Sequence, residues 1–333
     1  MLLTDNMNIT TIREYLGGDW TAVQENIASV LRSDIALLNA TNDSILANTG
    51  KQLRPLLSLL VAKACNGGQV TDASVRYAAA SELLHNATLL HDDVADDSDQ
   101  RRGVPTIRSL MGPSVSVLVG DYWLVKAMEL ILRDAATDAR TIRIFSKTLS
   151  DLAAGEMLQL QKAQSGDTNE NDYLRVIYSK TASLFEAACL SAAVSVGAPA
   201  EYEKAAVEYA VALGLAFQIK DDILDYEGTS SVGKPLGVDV LEQKITLPLL
   251  GALASASEEK VSEIRNKISD ILDHPEYRDE VVAFVKETHG IDYAVVRLHQ
   301  YVEDAVKALD VLPDSQEKEY LVNLAHYTAI REK

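Results

Sequence analysis

The chain has 333 residues and carries 31 lysines and arginines against 49 aspartates and glutamates, a formal net charge of -18. So acidic a surface argues against a nucleic-acid or anionic-membrane partner, and no run of about 18 apolar residues is present to form a transmembrane segment. Glycine (17) and proline (8) are scarce for this length while alanine and leucine are abundant, which points to an all-α fold.

In chain order, the first 50 residues read as two helices, 9–16 and 21–38, with breaks at Asn42-Asp43 and at Asn48-Thr49-Gly50. The segment GKQLRP leads into an apolar helix over 56–65, which Gly67-Gly68 ends. The next helix, 71–97, is apolar almost all round, through Ala78, Leu83, Leu84, Ala87 and Leu90, and must be central. A turn at Gly103-Val104-Pro105 precedes helices over 116–132 and 137–160. After a polar break at 166–171, helices run over 172–196 and 200–226. The stretch 228–237 is a glycine- and serine-rich loop carrying Lys234, and Lys244 follows in QKITLP. Residues 255–333 form amphipathic helices with charged faces and no evident chemistry. Cys65 and Cys189 stand alone in apolar helical settings, as small core residues in a reducing compartment do. The N-terminal stretch lacks an apolar core flanked by basic residues, so a cytoplasmic protein is expected.

Chemistry gathers at two helix ends. In LLHDDVADDSDQRRGVPT, Asp92 and Asp96 are four apart, on one helix face and about 6 Å apart along its axis. Asp93, Asp97 and Asp99 crowd the same end, where the macrodipole disfavours negative charge. Each close pair of carboxylates costs about 1–4 kcal/mol unless a cation sits among them. The run therefore predicts a hard-cation site, with Mg²⁺ the first choice for all-oxygen ligands. A single D-D-x-x-D also fits a solvated acidic helix end. The pattern recurs, however, as Asp221, Asp222 and Asp225 in QIKDDILDYE, again at the end of an apolar helical run. If the clusters share one site for several Mg²⁺ ions, the halves face each other and residues 1–333 form a single-domain helical bundle.

Lys51 and Arg54 open a helix, where they can hold an anion together with free backbone N–H groups. Arg101, Arg102, Lys180, Lys234 and Lys244 are further candidate cations. That set exceeds what one diphosphate requires and predicts two phosphorylated ligands, one bound through metal and one by Lys/Arg directly. Metal on a diphosphate leaving group would ease C–O cleavage by stabilising the charge developing on oxygen. No Gly-rich nucleotide loop or nucleophile triad competes with this reading.

Taken in order, GKQLRP, ELLHNATLLHDDVADDSDQRRGVPT, GEMLQL, SKTASLF, AFQIKDDILDY and VGKPLGVDVLEQKITLP resemble the trans-isoprenyl (polyprenyl) diphosphate synthase family, over roughly 50–250. The resemblance implies an all-α bundle of the isoprenoid synthase type with a central apolar pocket, usually a homodimer. It implies condensation of isopentenyl diphosphate with an allylic diphosphate: the allylic C–O bond ionises over Mg²⁺, the isopentenyl double bond attacks the cation, and a proton is lost. Asp92, Asp96, Asp221 and Asp225 match the metal ligands. Lys51, Arg54, His85 and Arg102 match the isopentenyl diphosphate site, and Arg101, Lys180, Thr181, Gln218, Lys234 and Lys244 the allylic site, with Lys180, Gln218 and Asp221 closest to the chemistry. Two positions depart from the pattern: Gln52 where many members have arginine, and Gln243 where many have glycine.

Side chains tilt toward a helix N-terminus, so a product growing away from Asp92 passes Thr88 and Ala87 and then Leu84. Small residues here resemble the long-chain members and imply a linear all-trans product longer than C20, with Met128 or Leu132 as a possible floor. Three alternatives remain at this point: a short-chain C15–C20 synthase, a terpene cyclase and a non-catalytic subunit. Lys51, Arg54 and the Arg101-Arg102 pair favour condensation over cyclisation, and two intact acidic clusters favour an enzyme over a subunit.

Overall fold

Few glycines and prolines interrupt the apolar periodicity, and the computed structural model is accordingly helical almost throughout. It describes residues 9–48, 50–101, 103–133, 139–227 and 236–332. The first elements are α1 (Ile9–Val30), α2 (Ala36–Leu46), α3 (Leu53–Cys65) and α4 (Asp72–Ala95). A two-residue hairpin follows, β1 (Gln100–Arg101) antiparallel to β2 (Val104–Pro105), and then α5 (Ile107–Met111) and α6 (Pro113–Leu132). Next come α7 (Ala139–Ser165), α8 (Glu170–Ile177), a π-helical turn (Tyr178–Ala182), α9 (Ser183–Ser195) and α10 (Ala200–Glu227). The last are α11 (Val238–Leu241), α12 (Leu247–Ala254), α13 (Glu258–Ser269), α14 (Tyr277–Glu287), α15 (Gly290–Ala308), a 3₁₀ turn (Leu309–Val311) and α16 (Gln316–Ile330). Among the described residues no helix is long and apolar enough to cross a membrane.

The chain divides into two compact units. The first comprises Met1–Ser146, Ala187–Ala206 and Leu312–Leu321, and α4 is its axis. A capping box starts α4: Thr71 Oγ1 accepts from the Ser74 N–H and Ser74 Oγ from the Thr71 N–H, each at 3.1 Å. Ala78, Ala79, Ala80, Leu83, Leu84 and Ala87 are buried along it, and each leucine so buried contributes roughly 1.5–3 kcal/mol. Helices α1, α3 and α6 pack against α4. The α6 approach depends on Gly120, where an added Cβ would stand 2.4 Å from His91 Nε2.

Two expectations are corrected in this unit. The helix placed at 21–38 ends instead at Val30, and α2 runs straight through the break expected at Asn42-Asp43. Asn42 is a buried bridge: its Nδ2 donates to the Leu31 carbonyl at 3.0 Å and its Oδ1 accepts from Trp123 Nε1 at 2.8 Å. A turn-forming residue by propensity is held in a helix by tertiary hydrogen bonds.

The second unit comprises Lys147–Glu186, Val207–Val311 and Val322–Lys333. Its core gathers Tyr226, Val240, Ile245, Leu249, Ile268 and Val285, and α12 lies along α15. The helix expected over 172–196 is broken by the π turn, which seats Ala182 against Gly214 of α10 so closely that a Cβ there would lie 2.5 Å from the Ala182 Cα.

Candidate active site

The first acidic cluster ends α4. Its last turn is closed by the Asp96 N–H donating to the Asp92 carbonyl at 2.8 Å, which sets the two residues one above the other. Asp93, Asp97 and Asp99 have arginine partners. Buried Asp93 accepts from Arg101 Nε at 2.8 Å. Arg108 clamps both Asp99, at 2.7 Å, and Asp97. Five crowded carboxylates thus do not all need a metal, because arginines from the hairpin and α5 neutralise three of them. Asp92, half-buried, and Asp96, exposed, are the pair whose position suits an ion. Among the described residues no three His, Cys, Asp or Glu side chains form a ready-made cage. The donor set still fits Mg²⁺, which takes one or two carboxylates and completes its shell with water and substrate phosphate.

The candidate anion site lies at the start of α3 in the same unit. Gln52 precedes the helix in the left-handed region, with φ 50 and ψ 50, and Arg54 in the first turn is buried. Lys51 and His85 are half-buried. On α4, Leu84 and Ala87 are buried and Thr88 is half-buried, its hydroxyl donating to the His85 carbonyl at 2.8 Å. Arg102 lies outside the described residues, as does Lys234.

The second acidic cluster, in the other unit, is built differently. Asp222 is buried, with Tyr173 Oη donating to its Oδ2 at 2.6 Å and Gln218 Nε2 to its Oδ1 at 2.9 Å. Gln218 Oε1 in turn accepts from the Thr181 hydroxyl at 2.8 Å, so two residues expected at the allylic site are linked through one amide. Burial drives the Asp222 carboxyl well above the usual carboxylate range, with Asp239 adding to it. Asp239 is itself pushed up to about 7, by burial first and by Asp225 second. Asp225 accepts from the Val238 and Asp239 N–H groups at 3.1 and 3.2 Å and so caps α11.

Lys180 sits in the π turn, its Nζ 2.7 Å from Glu156 Oε1 and 3.2 Å from Gln159 Oε1, both from GEMLQL on α7. Lys244 pairs with Glu242. Asp221 accepts from Arg331 at 2.7 Å. Arg331 also donates to the Phe217 carbonyl at 2.8 Å and stacks 4.0 Å over the Phe217 ring. Sequence reasoning passed over Arg331, in a segment read as free of chemistry, and gave no role to Asp222, which it named within the acidic pattern. Only the doubled aspartate hinted at the latter; nothing local marked the former.

The polyprenyl synthetase family profile matches residues 35–287. The octaprenyl diphosphate synthase of Haemophilus influenzae is 38% identical over 328 residues, covering 98% of both chains. A crystal structure of a decaprenyl diphosphate synthase from Rhodobacter capsulatus superposes with a TM-score of 0.90 at 36% identity, over 98% of this chain and 100% of that one. A polyprenyl synthase from Caulobacter crescentus CB15, solved with calcium and isoprenyl diphosphate, gives a TM-score of 0.89 at 32% identity, over 98% of each. Aspartate-rich helix ends, a cationic helix start and an all-helical chain matched along nearly its whole length have one explanation: the chain belongs to the long-chain trans-isoprenyl diphosphate synthase family and is a prenyltransferase.

Proposed function

We propose that the protein condenses isopentenyl diphosphate head-to-tail with an allylic diphosphate in the presence of Mg²⁺, giving a linear all-trans polyprenyl diphosphate longer than C20. The observation that carries the reading is the geometry at the end of α4: Asp92 and Asp96 stand one turn apart on a helix end that also presents Asp93, Asp97 and Asp99 with their arginines. Asp92, Asp96 and Asp221 hold the metal, with a smaller share for Asp225, whose two oxygens each already accept a backbone N–H. Bound Mg²⁺ supplies charge neutralisation for the departing diphosphate.

The chain's own residues do the rest. Lys51, Arg54, His85 and Arg102 bind isopentenyl diphosphate. Arg101, Lys180, Lys234 and Lys244 bind the allylic diphosphate, for which Arg101 keeps donors beyond the one directed at Asp93. Thr181 and Gln218, joined by their hydrogen bond, face the developing allylic cation with oxygen dipoles. The isopentenyl double bond attacks that cation, and the proton leaves to the released diphosphate. The growing chain runs along α4 past Thr88, Ala87 and Leu84, two of them buried and one small. Residues 1–333 act as one catalytic domain.

The protein is assigned to the cytoplasm and to a homodimer. Support for the dimer comes from α6, where Leu118, Val125 and Leu132 are 68%, 53% and 50% exposed. Spaced by sevens, they lie along one helix face. Leu132 therefore belongs to this outer stripe rather than to a pocket floor. Sedimentation of Leu118→Glu as a monomer would support the assignment, and an unchanged dimer would reject this face.

Incubating the purified chain with radiolabelled isopentenyl diphosphate, farnesyl diphosphate and Mg²⁺ tests the reaction, and mass spectrometry of the product tests its length. Absence of incorporation would refute the synthase reading. Incorporation that stops at C20 or below would refute the long-chain part alone.

A further inference from the structure

Lys51 is carried by a short loop that the chain holds in an uncommon shape. Gly50 has φ 67 and Gln52 has φ 50, so both residues flanking Lys51 are left-handed. Glycine adopts this freely, whereas at Gln52 the Cβ costs about 1–2 kcal/mol. The Gln52 side chain does not hold the loop: it is only 8% exposed, and its Nε2 makes no hydrogen bond. Such a conformation persists only where the surroundings over-determine it.

The restraint comes from α1, outside the matched span 35–287. Arg13 Nη2 donates to the Lys51 carbonyl at 2.8 Å and to the Gly50 carbonyl at 3.4 Å. Its guanidinium lies 5.0 Å over the Trp20 ring. The charge of Glu82, a buried residue of α4, acts on it from the core side. These two carbonyls belong to the peptide planes on either side of the Lys51 Cα. Fixing both planes fixes the direction in which the Lys51 side chain leaves the backbone, and it presents the α3 N-terminus in register with it.

We propose that Arg13 is a positioning residue for the isopentenyl diphosphate subsite: seated on Trp20, it locks the Gly50–Gln52 backbone so that Lys51 and the first turn of α3 are preorganised for the diphosphate. The inference rests on the assignment of Lys51 to that subsite made above. It gives the N-terminal helix a part in substrate recognition and explains how a non-glycine residue is kept left-handed at the start of α3.

Steady-state kinetics with each substrate varied, together with calorimetric binding of isopentenyl diphosphate, test it on four proteins: Arg13→Ala, Arg13→Lys, Lys51→Ala and the double variant Arg13→Ala/Gln52→Gly. Loss of one or two hydrogen bonds that preorganise the loop should raise the KM for isopentenyl diphosphate about tenfold, leaving the allylic KM and kcat close to their starting values. Arg13→Lys, which can still reach one carbonyl, should show a smaller rise. In the double variant glycine at 52 adopts φ 50 without a Cβ, so part of the lost affinity should return. A role confined to docking α1 would not respond to residue 52.

Equal rises in both KM values, or no recovery with glycine at 52, would overturn the proposal. Should Arg13→Ala fail to fold, Arg13→Lys decides: a KM identical to the parent's would overturn it. A raised KM in Lys51→Ala but not in Arg13→Ala removes only the role of Arg13. An unchanged KM in Lys51→Ala removes the subsite assignment and the proposal with it.

Discussion

The two D-D-x-x-D clusters share a sequence pattern and a place at a helix end, yet their surroundings treat them in opposite ways. At the end of α4 the acids not assigned to metal are neutralised by arginines, and Asp97 and Asp99 remain largely in solvent. Toward the end of α10 they are tied into the fold: Asp222 is buried between Tyr173 and Gln218, Asp225 caps α11, and half-exposed Asp221 is joined to Arg331, which is 5% exposed. The same five-residue signature therefore stands in a solvated, arginine-paired setting in one place and is anchored by the surrounding helices in the other. A motif specifies which atoms are present; the packing around it decides how much stability depends on them.

The largest expected effects come from removing one carboxylate charge in each cluster. Asp92→Asn and Asp221→Asn should each lower turnover about a thousandfold or more, if both carboxylates hold the Mg²⁺ that neutralises the leaving diphosphate. They should differ in stability. Asp221→Asn leaves the Arg331 side chain, 3% exposed, buried without its carboxylate, at a cost of about 1–3 kcal/mol once the exposure of Asp221 is allowed for, and Asp92→Asn should cost less. Urea unfolding beside the incorporation assay reads both quantities, and equal stability losses would break the contrast.

Next in size is a change of product rather than rate. Ala87→Tyr puts a ring one turn behind the first cluster and should shorten the polyprenyl chain on chromatography; an unchanged length would show that the product does not pass α4 there. Tyr173→Phe removes one of two donors to buried Asp222 and should destabilise the fold by about 1–3 kcal/mol, seen as a lower urea midpoint. The smallest effect belongs to Arg108→Ala, whose partners are exposed; a loss within about 1 kcal/mol is expected. If Arg108→Ala proved as damaging as Tyr173→Phe, the distinction between a solvated and an enclosed cluster would fail.

Several candidate site residues were legible because their chemistry is carried by type and spacing. Asp92 and Asp96 four apart at a helix end, or Lys51 and Arg54 at a helix start, constrain a function whatever surrounds them. Other features were hidden for physical reasons. The π turn that places Lys180 and Thr181 adds no residue type that periodicity can register. Asn42 reads as a turn former until Trp123 and the Leu31 carbonyl, 81 and 11 residues away, take its side chain. Arg331 lies 110 residues from Asp221 and Arg13 lies 38 from Lys51, and each pairing exists only after the chain has folded.

By itself, then, the sequence determined that this chain is helical, that carboxylates crowd two helix ends and cations a helix start, and that small residues stand behind Asp92. Those conclusions follow from local quantities: apolar periodicity, dipole direction and the repulsion of neighbouring charges. Only the tertiary structure decided which carboxylates are held by Arg101, Arg108, Arg331 or Tyr173, and that α1 steadies the loop bearing Lys51. The reason is that a buried polar group must find its partner wherever packing brings one, and distance along the chain carries no record of that choice.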